Sequence, residues 1–395
     1  MGSLRQHRVV TAVCLALAVL GLARLAKALG GGPAGAALIV TILMALQTLV
    51  FAHPEGVLRK FPFPISRRVL AVRATGFLVF SALALGSYVL QRTIALSRSD
   101  WRAQLEHADI LWPLAPLLFS IVVDAATARP YVDEYWTLGR YLARPRRAWS
   151  AIATRDFGSS VIKLFFYPLM FVYVEHFLEL LDQSWLPDAW TPAAIYDSST
   201  VYYLFIDVAF GTAGYALSLQ ILRNRVYSVN PYPAGWLVTF ICYTPFYELL
   251  APVVFIYQWH DDWSVWTKDR PVIQCIWLAM ILCCFVIYTW ATIALGPRFS
   301  NLTFRGVVTS GPYRFMKHPA YAAKVASYWL ITVPFIPMYG WAYALQQCVA
   351  LTFMCLIYYF RAGFEEIHLM HYPEYRQYAA SPAWNSSNTS KRVPG

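Results

Sequence analysis

The sequence predicts an all-α, polytopic membrane protein of about ten transmembrane helices. Three observations predict it. The 395-residue chain is 58% hydrophobic and only 13% charged, whereas soluble domains are about a quarter charged. Its mean hydropathy is +0.46. Apolar runs of membrane-spanning length recur along it, and most basic residues of the intervening loops fall in every second loop.

The runs lie at 9–29, 34–53, 70–90, 108–126, 158–180, 198–222, 233–257, 272–296, 320–338 and 341–360. Each is long enough, or nearly so, for a hydrocarbon core that takes about 20 helical residues. Arg5 and Arg8 precede the first run as in a signal peptide. No small-residue cleavage site follows, and Arg24 and Lys27 extend the segment, so it reads as a span. The net charge of +11 would suggest a nucleic-acid partner in a soluble chain; here its distribution reports topology. With the N-terminus cytoplasmic, one side collects Arg59, Lys60, Arg67 and Arg68, then Arg129, Arg140, Arg144, Arg146, Arg147 and Arg155, then Arg223 and Arg225. Arg298, Arg305, Arg314, Lys317 and, in the tail, Arg376, Lys391 and Arg392 follow on that side. The opposite loops hold Asp182, Asp188 and Asp197, then Asp261, Asp262 and Asp269 with Lys268 and Arg270. Both termini are therefore expected in the cytoplasm.

All seven cysteines fall inside apolar spans, without the spacing of a zinc site, a redox pair or a disulfide framework. No metal site is expected. No internal repeat is visible, which argues against an inverted-repeat transporter. Loop 127–157 is the longest connection, and the tail from Ser381 to Gly395 is polar. Its sequons at Asn385 and Asn388 lie on the cytoplasmic side and are not read as glycosylation sites. The ionisable residues inside spans are Lys163, Glu175, His176, Asp207 and Glu248. Lys163 is expected to snorkel from a cytoplasmic helix end, and Glu175 and His176 to reach towards the other interface.

Function is best argued from two polar clusters separated by one membrane hairpin. The first is Gly311-Pro312-Tyr313-Arg314-Phe315-Met316-Lys317-His318-Pro319-Ala320-Tyr321. It opens with a turn at Ser310-Gly311-Pro312, and Pro319 suits a first helical turn, which puts His318 and Tyr321 on one face. As a structural element alone it would be an interfacial belt of Tyr, Arg and Lys. The second is Arg361-Ala362-Gly363-Phe364-Glu365-Glu366-Ile367-His368-Leu369, followed by His371-Tyr372-Pro373-Glu374-Tyr375-Arg376-Gln377-Tyr378. Arg361, Glu365 and Leu369 share a helical face, with Phe364 and Glu366 off it; alone, Arg361 and Glu365 would form an exposed pair of small energetic weight. A helix, a turn at Met338-Tyr339-Gly340 and a returning helix bring both clusters to the same membrane face, the cytoplasmic one. Acids, a guanidinium, an imidazole and tyrosines together suit a polar, cationic, adenine-bearing ligand.

The pattern G-P-Y-R-x-x-K-H-P-x-Y, then R-x-x-x-E-E-x-x-L, then Y-x-x-Y resembles the isoprenylcysteine carboxyl methyltransferase and phospholipid methyltransferase superfamily. The motifs run from 311–324 and 361–378, and a shared five-helix core would reach back to about residue 198. The resemblance implies a methyltransferase-like core at 198–395, after a transmembrane extension at 1–197 that it does not explain. It implies S-adenosylmethionine as cofactor, contacted by Tyr313, His318, Pro319, Tyr321, Glu365 and Glu366, with Arg361 near the reacting groups. The acceptor is then a lipid or lipidated molecule that enters from the bilayer. A carboxylate acceptor needs no general base, and Arg361 would hold it. An amine must lose a proton, for which Glu366 or His368 is the candidate. Carboxylate, amine and hydroxyl acceptors all stay open. The chain departs from the family pattern at Ala323, where Gly is common, at Lys324, a charge beside the pocket, and at Tyr372-Pro373, where Phe-Gly is common. The alternatives are a membrane reductase of the sterol-reductase type, which binds NADPH, and a membrane scaffold without chemistry.

Overall fold

The computed structural model describes residues 2–28, 31–52, 67–95, 108–127, 133–143, 151–183, 189–254 and 262–380. Arg59, Lys60, Arg129, Arg144, Arg146, Arg147, Asp188, Asp261 and the tail from Ser381 lie outside the described residues.

Among the described residues the fold is helical, and its one strand pair is β1 (Ser228–Val229) against β2 (Thr303–Phe304), antiparallel with Ser228 opposite Phe304. The helices are α1 (Gly2–Ala28), α2 (Gly32–Phe51), α3 (Arg67–Ala95), α4 (Leu114–Thr127), α5 (Glu134–Ala143), α6 (Ala151–Gln183) and α7 (Pro192–Ala216). They continue with α8 (Pro233–Phe240), α9 (Phe246–Val254), α10 (Trp263–Thr267), α11 (Pro271–Leu295), α12 (Pro319–Thr332), α13 (Trp341–Leu369) and α14 (Pro373–Ala380). Five of them (α2, α3, α6, α11 and α13) are long and apolar enough to cross a membrane. The outward faces of α11 and α13 carry Val272, Ile276, Val286, Leu345 and Val349, all exposed, as expected of helices solvated by lipid tails. The run at 233–257 forms two short helices parted by residues 241–245, and the run at 320–338 gives a 14-residue helix.

The chain forms two compact units, each discontinuous in sequence. The first holds Met1–Asp182, Phe205–Val229 and Gly296–Gly306; the second holds Gln183–Leu204, Asn230–Leu295 and Val307–Gly395. The boundary expected at 197/198 falls inside α7.

The first unit is stitched by buried charge. Gly76 on α3 and Gly139 on α5 meet backbone to backbone: a Cβ on Gly76 would lie 1.8 Å from the Tyr135 carbonyl oxygen. That approach lets Arg73 bond Asp124 on α4 and Asp133 before α5, both at 2.6 Å. Burial, outweighing the attraction of Arg73, pushes the Asp133 carboxyl up to about 6. Lys163 does not snorkel. Its side chain is 3% exposed and donates to Glu134 and, at 2.8 Å, to Ser218, because a buried acid within reach satisfies it better than a distant interface would. Glu175 is likewise buried, accepting from Tyr88 and standing 3.2 Å from Arg92.

The second unit holds both polar clusters. Its core packs Trp263, Leu278, Ile281, Phe285 and Val333 in one group, and Leu351, Met354, Ile357 and Tyr358 in another. Val333 takes a left-handed conformation (φ 38°) that ends α12 ahead of Pro334, and Gly340 precedes the first turn of α13. The turn between them folds α12 and α13 into the hairpin expected from sequence.

Candidate functional site

The first cluster is set by a turn only glycine fills easily. Gly311 has φ +63°, and a Cβ there would lie 3.0 Å from Ala294 and 3.1 Å from Trp290 of α11. Gly311–Arg314 then form one 3-10 turn, and α12 begins with His318 at its N-cap and Pro319 in its first turn, where the missing N–H costs nothing. His318 and Tyr321 stack with centroids 5.6 Å apart and planes 10° from parallel.

The second cluster arrives on the last turns of α13 and meets the first directly. The Tyr321 hydroxyl donates to Glu365 Oε2 at 3.0 Å. His318 Nε2 lies 3.1 Å from Glu366 Oε1, and Lys317 Nζ donates to Glu366 Oε2 at 3.2 Å. The Glu366 side chain stays 28% exposed, so the carboxylate pair keeps accessible acceptor capacity beyond these bonds.

Arg361 is not in an exposed pair. It is 7% exposed, its guanidinium carbon is 5.1 Å from the Tyr321 ring and 5.4 Å from the Tyr243 ring, and Nη2 donates to the Tyr243 hydroxyl at 3.3 Å. Tyr243 comes from the break between α8 and α9, which sequence reasoning read as mid-span. Asn230 Nδ2 donates to the Phe364 carbonyl at 3.2 Å, pinning the α13 backbone beside the acids. Tyr313 enters through its carbonyl, which accepts from the Tyr378 hydroxyl at 2.8 Å. His368 is buried, its ring edge-on to Tyr372.

One residue was missed within a motif that was seen. The Tyr375 hydroxyl is buried and meets no hydrogen-bond partner among the described residues. Burial first, then the charges of Glu366 and Glu365, push its pKa far above the ordinary phenol value. Burial and Glu366 push Tyr378 up to about 12. Both stay protonated donors at physiological pH. Lys324 places its ammonium 5.7 Å from the Tyr288 ring and 5.6 Å from the Tyr358 ring.

The structure thus brings His318, Pro319, Tyr321, Arg361, Glu365 and Glu366 into one site, with Tyr313 at its edge. Among the described residues no three His, Cys, Asp or Glu side chains gather as a metal site requires. The arrangement offers two carboxylates, a buried phenol donor, a stacked imidazole–phenol face and a guanidinium clamped between rings. Compared with known proteins, the chain matches no family model, no characterised protein and no solved structure.

Proposed function

We propose that the protein is an integral membrane methyltransferase that uses S-adenosylmethionine and acts on a lipid or lipidated acceptor. The observation that carries the reading is the direct bonding of two distant motifs, Tyr321 to Glu365 and His318 to Glu366, next to the Tyr375 donor, unpartnered among the described residues. The donor set fits the cofactor. Carboxylates accept from an amino group or ribose hydroxyls and complement a positive sulfonium, a buried phenol donates to a carboxylate or ring nitrogen, and stacked rings provide a flat apolar face. When bound, the cofactor supplies an electrophilic methyl group.

The chain's own residues do the rest by placement. Glu365 and Glu366 are fixed by Tyr321, His318 and Lys317, so they do not reorganise when a charge approaches. Arg361, locked by Tyr243 and Tyr321, holds an anionic acceptor in line; for an amine acceptor, Glu366 or His368 takes the proton. On this reading the chain crosses the membrane about ten times. Both termini and the site face the cytoplasm, and the acceptor arrives laterally from the bilayer.

The test is calorimetry on detergent-purified protein, titrating S-adenosylmethionine and NADPH in parallel into wild type, Glu365→Gln, Glu366→Gln and His318→Ala. Micromolar-range binding of S-adenosylmethionine that falls at least about tenfold in each variant is expected, the loss of one charge-assisted bond being worth about 1.4 kcal/mol or more. Binding of NADPH alone moves the protein to the reductases, and binding of neither removes the enzyme reading.

A further inference from the structure

The first unit holds a cleft that the proposed function does not use. About 470 Å³ of space, its open mouth included, lies between α3, α4, the starts of α5 and α6 and the segment 218–226. Four acids, three arginines and two serines stand on its walls. The acids are already answered. Arg73 bonds Asp124 and Asp133, and the other Asp133 oxygen accepts from the Trp136 backbone N–H at 2.7 Å. Asp156 accepts from Thr137 at 2.7 Å on one oxygen and from Arg155 Nε at 2.8 Å on the other. Glu134 accepts from Lys163 and, at 3.4 Å, from the Ser159 hydroxyl.

Donors, by contrast, are left over. Arg155 commits Nε and Nη2 to one Asp156 oxygen. Its Nη1 meets no partner among the described residues, on a side chain 26% exposed. Ser120 lines the cleft from α4 and is 5% exposed, and its hydroxyl makes no hydrogen bond among the described residues.

Charge points the same way. Among the described residues five bases, Arg73, Arg155, Lys163, Arg225 and Arg305, meet four acids, Asp124, Asp133, Glu134 and Asp156, in and beside the cleft. Arg305 is 2% exposed, and its Nη1 donates to the Gly214 and Leu217 carbonyls at 2.7 and 3.0 Å. Its Nε and Nη2 meet no partner among the described residues, and its charge acts on Glu134. A shielded cluster with one positive charge in excess is costly and is relieved by an anion. Leftover donors on two walls, α4 and α6, suit an anion whose oxygens point several ways, as those of phosphate do and those of a planar carboxylate do not.

We infer that this cleft binds a phosphate group on Arg155 and Ser120, as a ligand site of the first unit. The inference does not rest on the methyltransferase reading. A lipid headgroup and a soluble phosphate share the required chemistry, and the experiment separates them.

The experiment follows the unfolding midpoint of the detergent-purified full chain against inorganic phosphate, dioctanoyl phosphatidate and dioctanoylglycerol, at constant ionic strength set with chloride. Wild type, Ser120→Ala, Arg155→Gln and Arg376→Gln are compared, each against its own ligand-free midpoint, so a less stable variant still reports affinity. Wild type should show a saturable rise with a phosphate probe and none with dioctanoylglycerol. Tighter binding of phosphatidate than of inorganic phosphate assigns a lipid headgroup, and the reverse assigns a soluble source. Arg155→Gln should weaken binding by about tenfold or more, the size of one charge-assisted bond, and Ser120→Ala by about three- to tenfold. Arg376→Gln removes the same charge from an exposed position on α14, in the second unit, and should stay within about twofold of wild type. If Arg155→Gln does not fold, Ser120→Ala decides alone, because it removes one oxygen and no hydrogen bond within the described residues. No saturable rise with either phosphate probe overturns the inference, and so does an equal rise with dioctanoylglycerol. Wild-type affinity in Ser120→Ala and Arg155→Gln, or a loss in Arg376→Gln as large as theirs, also overturns it.

Discussion

Tyrosines 375 and 378 stand three apart on α14 with ring centroids 5.7 Å apart, yet the same substitution should move stability in opposite directions. Phenylalanine removes one oxygen and leaves the ring. At Tyr378 that oxygen donates to the Tyr313 carbonyl at 2.8 Å. Losing it costs about 0.5–1.5 kcal/mol, the net value of one hydrogen bond. At Tyr375 the oxygen is buried and unpartnered among the described residues, a state that costs about 1–3 kcal/mol, which phenylalanine recovers. The two variants should therefore differ by about 2–4 kcal/mol in the free protein. At about 2–4 °C per kcal/mol for a cooperative unit of 150–250 residues, the size of the second unit, the apparent midpoints should differ by roughly 4 °C or more.

Ligand narrows the gap between them. If the Tyr375 hydroxyl is a cofactor donor, Tyr375→Phe binds S-adenosylmethionine about five- to tenfold more weakly, and its midpoint rises less on saturation. Tyr378→Phe keeps its affinity to within about twofold, because its hydroxyl is already spent on the Tyr313 carbonyl. The assay is thermal unfolding of detergent-purified protein with and without cofactor, paired with calorimetry. If Tyr375→Phe lowers the free-protein midpoint as much as Tyr378→Phe does, the hydroxyl is a structural donor and the fit to the cofactor loses its main support.

Two further predictions concern the first unit. Gly76→Ala puts a Cβ 1.8 Å from the Tyr135 carbonyl oxygen, whereas Gly86→Ala on the same helix meets nothing within 4 Å. Gly76→Ala should cost about 3 kcal/mol or more, through overpacking and a strained Arg73–Asp133 pair, and Gly86→Ala should gain a few tenths up to about 1 kcal/mol. Equal midpoints would show that α3 and α5 do not touch there. Asp133, pushed up to about 6, holds its proton in the folded state through an interval where the unfolded chain has lost it. The folded state then binds more protons, so stability falls as pH rises from about 4 to 6 and levels off above, by about 3 kcal/mol for two pKa units. Asp133→Asn should flatten the midpoint-against-pH curve over that interval; a slope equal to that of wild type would show that Asp133 does not titrate there.

The hairpin and its two polar ends were legible because they are local. The three-residue spacing of His318 and Tyr321 produced the stacked rings, and the Tyr339-Gly340 turn returned α13 alongside α12. What sequence could not supply was partner choice. Arg361 and Glu365 are one turn apart, and a pair between them is the local solution. Tyr243, 118 residues away, bonds Arg361, and Tyr321 bonds Glu365. Hydropathy also averages through backbone punctuation. The apolar run at 320–338 continues past Pro334, while α12 stops at Thr332, because proline lacks an N–H and restricts the residue before it; the run at 233–257 is parted at residues 241–245. Glu134 falls in loop 127–157, and its partner Lys163 lies on another helix.

These interruptions bear on function through a long element that has none. Helix α13 runs unbroken from Trp341 to Leu369, while α12 has 14 residues and α8 and α9 are parted by residues 241–245. A continuous helix is a ruler: each residue adds about 1.5 Å and about 100° of turn. The level of Tyr358, Arg361 and the Glu365-Glu366 pair is fixed by that ruler alone, and a one-residue slip would rotate the acids away from Tyr321, His318 and Lys317. Short or broken neighbours tolerate adjustment, as the loop carrying Tyr243 does in reaching Arg361. On the proposed reading, a sulfonium near the acids and an acceptor near Arg361 must meet at a fixed separation for in-line transfer, where a misplacement of about 1 Å is costly. The unbroken helix sets that separation, and the segments around it are free to shape the acceptor path.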